Sequence, residues 1–120
     1  MNEVWTFGEE CVVAPGLRDW VQVHAARAEQ VAPTWILPID LLFLDGDQSY
    51  PAVTAAYDLW TPFLKCGGRL VVHNSRAGYR QESHDGSARL VEERVQPPEY
   101  GDVHCVKSLT FARKRSPDER

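Results

Sequence analysis

The order of apolar runs and turn signals predicts an α/β domain with a mostly parallel sheet and a C-terminal antiparallel hairpin. Three observations carry that expectation. Two nearly unbroken apolar runs, Ile39–Leu44 and Arg69–His73, each stop at polar residues. Runs of that kind read as central parallel strands, buried on both faces. A stretch with helical spacing (Val53, Ala56, Tyr57, Trp60, Leu64) separates them. Strands that alternate with helices make α/β domains with right-handed crossovers.

The remaining elements follow in chain order. Residues 1–19 read as a short strand or an irregular segment. Trp20–His24 alternates and predicts a strand, and Arg27–Trp35 a short helix ended near Pro33. Ser49 stands at an N-cap position with Pro51 in the first turn. Gly67-Gly68 is expected to end that helix, because glycine accepts the left-handed cap conformation. Residues 77–85 are polar and punctuated by glycine, a loop. Ser87–Val95 predicts a helix broken by Pro97-Pro98. Val103–Val106 and Leu109–Arg113 predict a hairpin through Lys107-Ser108. The main domain is therefore expected over residues 20–115, with a polar tail at 116–120.

Bulk properties exclude several classes. At 120 residues the chain holds one small domain. Apolar residues make up 43% and mean hydropathy is -0.37, ordinary for a chain with a core. The net charge of -4 gives no footprint for nucleic acid or a membrane surface. Cys11, Cys66 and Cys105 are odd in number and widely spaced, which fits a reduced, cytoplasmic protein better than a disulfide framework. Trp5, Trp20, Trp35 and Trp60 read as packing residues, and Arg113-Lys114-Arg115 as a solvated chain end.

In parallel sheets, ligands bind beyond the carboxyl ends of the strands. Asp45, Asp47, His73 and Asn74 all lie at such ends. The turn Asp45-Gly46-Asp47 sets two carboxylates around a glycine, a pattern that suits a hard cation. The same two acids also serve simply to end a strand and cap the next helix. His73 is the candidate base, and it equally fits a surface histidine held by hydrogen bonds. His24, His84 and His104 show no ligand spacing. No two glycines are separated by one residue, so a G-x-G-x-x-G cofactor loop is missing from this sequence.

The stretch from Pro38 to Tyr50, ending Asp45-Gly46-Asp47-Gln48-Ser49-Tyr50, resembles a hallmark of one branch of class I methyltransferases, a segment of the type IDLLFIDGDHSY. Trp60, then Leu64-Lys65-Cys66-Gly67-Gly68, then Leu70–Asn74 resemble the helix end, glycine turn and strand that follow it there. The resemblance covers roughly residues 20–113. It implies a truncated Rossmann-like methyltransferase fold and dependence on S-adenosylmethionine, with a small molecule as substrate. It also implies Asp45 and His73 as catalytic residues, Ala26 and Asp45 near the cofactor, and Asp45, Asp47 and Asn74 as ligands of a divalent metal such as Mg²⁺.

The departures shape the expectation too. Ala26 stands where the family has an acid near the adenine, Gln48 where it often has histidine, and Asn74 where it often has aspartate. The family's glycine-rich loop has no counterpart here, so cofactor affinity is expected to be weak. Two other readings stand beside an active methyltransferase. One is a non-catalytic accessory or interaction module. The other is a cofactor-free catalyst, such as an isomerase or cyclase, that reuses the Asp45/His73 pocket. Without the family's first strands, the apolar edge of Ile39–Leu44 needs covering. The N-terminal segment, a second copy in a homo-oligomer or a partner protein is expected to cover it.

Overall fold

The structure, a computed structural model, describes residues 3–6, 16, 19–46, 49–73, 75 and 85–120. The chain divides into two compact units, Met1–Trp35 and Ile36–Arg120. In the first, β1 (Glu3–Thr6) pairs in parallel with β2 (Val21–His24). The helix α1 (Ala28–Val31) follows and tightens into a 3₁₀ turn at Ala32–Thr34 that contains Pro33. Trp20 is exposed rather than packed. It sits in the turn before β2, in a unit too small to bury many large side chains.

The second unit is a sheet of four strands in the order β3 (Ile39–Leu44), β4 (Leu64–Val72), β6 (Leu109–Lys114), β5 (Tyr100–Val106). β3 and β4 are parallel, and β6 runs antiparallel to both β4 and β5. The helices α2 (Tyr50–Trp60) and α3 (Gly86–Arg94) supply Val53, Tyr57, Leu90 and Val91 to the core. Leu44, Leu70, Val72 and Ala112 meet them from the strands. Ser49 holds the N-cap position, as its place before Pro51 predicts. Among the described residues no helix is long and apolar enough to cross a membrane.

Three further expectations need correcting. The first concerns β3, which forms the edge of this sheet rather than a strand buried on both faces. Leu42 and Leu44 turn toward the core, while Leu41 and Phe43 alternate outward and stay 57% and 47% exposed. An apolar run marks burial on both faces only when strands and helices flank it, and among the described residues of this unit nothing pairs on the free side of β3.

The second concerns Gly67-Gly68, which does not end α2. The helix stops at Trp60 and passes into a 3₁₀ turn at Thr61–Phe63, where Pro62 cannot continue the ladder. The glycines instead build a bulge inside β4. Ile39 pairs with Leu64 but Leu41 with Arg69, so the extra residues of β4 must loop out. Gly67 has φ of 84°, a left-handed conformation that favours glycine. A Cβ on Gly68 would lie 2.8 Å from the Lys65 carbonyl oxygen and 3.1 Å from that of Asp40. Lys65 and Asp40 form an ion pair beside the bulge.

The third correction is to the chain end, where the basic run is engaged rather than solvated. The Lys114 ammonium donates to the carbonyl oxygens of Thr61 (3.1 Å) and Leu64 (2.8 Å), so it caps the turn after α2. Arg113 pairs with Asp102 (3.3 Å) and with Glu119 (2.9 Å). Glu119 belongs to a 3₁₀ turn at Pro117–Glu119, within what the sequence suggests is a plain tail. The Arg113 guanidinium and the Ser116 backbone amide hold the Glu119 carboxyl down at about 2. Because the folded value is depressed, the stabilisation is complete above the usual carboxylate range and is lost as pH falls through about 2. Carbon-detected NMR titration should therefore find the Glu119 midpoint near 2, and Arg113→Gln should move it back toward 4.5.

Residues 1–19 read as a short strand or an irregular segment, and the described part contains a strand, β1. The expected loop over residues 77–85 lies, apart from Asp85, outside the described residues.

Candidate active site

Parallel pairing of β3 and β4 brings their carboxyl ends side by side, since Leu44 pairs with Val72. The next residue of each strand then faces the other across one strand spacing. Those residues are Asp45 and His73. The backbone N–H of His73 donates to the Leu44 carbonyl oxygen at 3.1 Å, which extends the ladder to the site. The His73 Nδ1 lies 2.7 Å from Asp45 Oδ1. Both side chains remain partly open to solvent, 34% for His73 and 48% for Asp45.

This geometry fixes a tautomer. A carboxylate accepts, so in the neutral imidazole Nδ1 carries the proton and Nε2 the basic lone pair. An imidazole oriented in this way by an acid is a general base in form. Asp45 engages His73 through one oxygen. Among the described residues its second oxygen meets no partner.

The other sequence candidates are placed differently. Ala26 follows β2, in the first unit. Asp47, Gln48 and Asn74 lie outside the described residues, as does His84. His104 stacks on Phe111 at 5.2 Å and bonds the Asp102 carbonyl oxygen at 2.8 Å, in keeping with a surface role. Among the described residues no group of three acidic, histidine or cysteine side chains gathers as a metal site.

Two supports of the site were not legible in the sequence. Behind His73 runs a short chain of hydroxyls. Ser75 Oγ donates to the Val72 carbonyl oxygen at 2.9 Å. Its one proton is thereby used, so Thr110 Oγ1 donates to Ser75 at 2.5 Å. The Cys105 thiol in turn donates to Thr110 at 3.6 Å. Ser75 and Thr110 are both buried. Together with the Ser75 amide bond to the Ser108 carbonyl oxygen at 3.1 Å, they tie the segment just past His73 to the hairpin. Ser75→Ala should cost roughly 1–3 kcal/mol, because it strands the buried Thr110 hydroxyl. Adding Thr110→Val should recover much of that loss, and urea denaturation of the single and double variants measures the coupling.

On the other side, Tyr50 ties α2 to α3. Its hydroxyl donates to the Glu93 carboxylate, and the Arg89 guanidinium lies 3.9 Å from its ring centroid. The bond to Glu93 raises the Tyr50 hydroxyl above its ordinary range and lowers the Glu93 carboxyl. The last residue of the Asp45–Tyr50 turn is thus an anchor for the turn.

Residues 3–75 match a family model described as a methyltransferase domain. Solved structures resemble the chain as well. Cofactor-bound Rv0187 from MTB has a TM-score of 0.66 at 22% identity, covering 84% of this chain and 52% of that one. The O-methyltransferase TomG of tomaymycin synthesis from Streptomyces achromogenes, solved with SAM, has 0.61 at 18%, covering 84% and 52%. The MycE methyltransferase of the mycinamycin pathway, solved with Mg and SAH, has 0.61 at 17%, covering 85% and 35%. At these identities the likeness is one of fold. The chain spans about half of the first two proteins and about a third of MycE.

Proposed function

This chain belongs to the methyltransferase-domain family, and we propose that it carries the base side of an S-adenosylmethionine-dependent methyl-transfer site for a small molecule. The observation that carries this reading is the Asp45–His73 pair, 2.7 Å apart at the carboxyl ends of two parallel strands. Asp45 holds the imidazole in one tautomer. His73 Nε2 then takes the proton from a hydroxyl or amine acceptor as the methyl group is transferred. S-adenosylmethionine, when bound, supplies that methyl group from its sulfonium.

The residue types suit a hard cation as a helper. Asp45 offers its second carboxylate oxygen, and Asp47 and Asn74, which lie outside the described residues, are oxygen-bearing residues close to Asp45 and His73 in sequence. A Mg²⁺ held there would stabilise the ionised acceptor oxygen. Ala26 stands where the family has an acid, so affinity for the cofactor should be weak, near 1 mM or about 4 kcal/mol.

Ala26 also favours a second reading, a methyltransferase-fold accessory module that has given up catalysis. A methyl-transfer assay separates the two. Release of S-adenosylhomocysteine, followed by mass spectrometry over a panel of small hydroxyl and amine acceptors, supports the first. Complete absence of turnover, with or without Mg²⁺, supports the module.

Either reading needs a cover for β3. Its outward Leu41 and Phe43 and its unpaired backbone suit strand addition from a second copy or from a partner protein. Sedimentation should show association at micromolar concentration, and Phe43→Lys should abolish it.

A further inference from the structure

At the opposite end of β4 from His73, the second unit has a cavity of about 190 Å³ that the methyl-transfer reading does not use. Tyr57, Arg94, Glu99, Tyr100, Lys114 and Arg120 line it. It is small beside the roughly 300–1,000 Å³ of a pocket for a drug-sized ligand, and holds a few water-sized groups.

Its donors outnumber its acceptors. The Tyr57 and Tyr100 hydroxyls are 2.7 Å apart, and both rings are buried. Two hydroxyls bring two protons, and the bond between them uses one. Burial, the largest cause for each, raises both above the ordinary tyrosine range, so both protons stay on. Lys114 spends two of its three N–H groups on the carbonyl oxygens of Thr61 and Leu64. Among the described residues no carboxylate forms an ion pair with it. Arg94 gives one N–H to Asp58 at 2.9 Å and lies 4.8 Å over the Tyr57 ring. A guanidinium has five N–H donors, so more remain. Three cationic side chains face Glu99 within the lining, with Asp58 behind Arg94.

We propose that this cavity binds the oxyanion group of a small molecule, a phosphate or a carboxylate. Such a group accepts from the spare tyrosine hydroxyl, from the third Lys114 N–H and from Arg94. Lys114 then has two duties, capping the turn after α2 and holding the ligand. The site lies a full strand's length from Asp45–His73 and stands whether or not methyl transfer occurs.

Titration of the whole chain with inorganic phosphate, read by ¹⁵N–¹H NMR at constant ionic strength, tests this. Saturable shifts at Tyr100, Gly101 and Lys114 are expected, with none from chloride. Acetate in a parallel arm separates the two sources. Tighter phosphate assigns a phosphoester, and tighter acetate a carboxylate. Arg94→Gln and Lys114→Met should each weaken binding about tenfold or more. Glu99→Gln should tighten it several-fold, a change that loss of fold cannot mimic. Arg89→Gln, a cation outside the cavity, should change nothing. Non-saturable shifts, equal shifts with chloride, or a Glu99→Gln variant that binds no tighter would overturn the proposal.

Discussion

Replacing His73 with glutamine is expected to lower methyl transfer about 100- to 10,000-fold, the usual contribution of a positioned general base. Glutamine keeps a polar side chain of similar reach but cannot accept the acceptor's proton at neutral pH. The fall should appear in kcat, with KM for the acceptor little changed, because the loss is confined to the transition state. Asp45→Asn should reduce kcat less. Its amide can still contact Nδ1, but it no longer favours the tautomer with the lone pair on Nε2. Circular dichroism should show both variants folded, since both side chains are partly exposed. Activity that is indifferent to His73 would remove it from the site.

Leu70→Ala is the substitution expected to harm stability most. Leu70 is 0% exposed and sits in β4 between the two strands that flank it, at the centre of the core cluster. Deleting a buried leucine costs roughly 2–5 kcal/mol through lost burial and the cavity left behind. A small domain has only about 5–15 kcal/mol in total, so the variant should be partly unfolded at 37 °C. Leu41 has the same side chain on the neighbouring strand but is 57% exposed. Leu41→Ala should stay within about 0.5 kcal/mol of wild type in urea denaturation, measured below the concentration at which the chain associates. A large effect at Leu41 under those conditions would mean that its face is covered even in the dilute chain.

The contrast between these two leucines also shows what the sequence can and cannot reveal. Periodicity located β3, α2, β4 and the hairpin, because each pattern is set by neighbours one to four residues away. It also put Asp45 and His73 at strand ends, and parallel pairing made them neighbours. Exposure was not legible. Leu41 and Leu70 both lie in apolar runs, and only the strand order decides which one is covered. The glycine pair misled for a similar reason. Gly67-Gly68 is locally as good a helix end as a bulge, and the close approach of the Asp40 carbonyl decides between them. Ser75, Thr110 and Cys105 are far apart in sequence and ordinary in composition, so nothing local announces their hydrogen-bonded chain. Lys114 likewise reads as surface charge until the fold places it under the end of α2.

The most direct test of Asp45–His73 as a methyl-transfer site is titration of the ¹⁵N-labelled chain with S-adenosylhomocysteine in the presence of Mg²⁺. Saturable shifts at Leu44, Asp45 and His73, with a dissociation constant near 1 mM and lost in Asp45→Ala, are the predicted result. Unmoved resonances at these three residues up to several times that concentration would contradict it, and would leave the chain as a fold relative without the function.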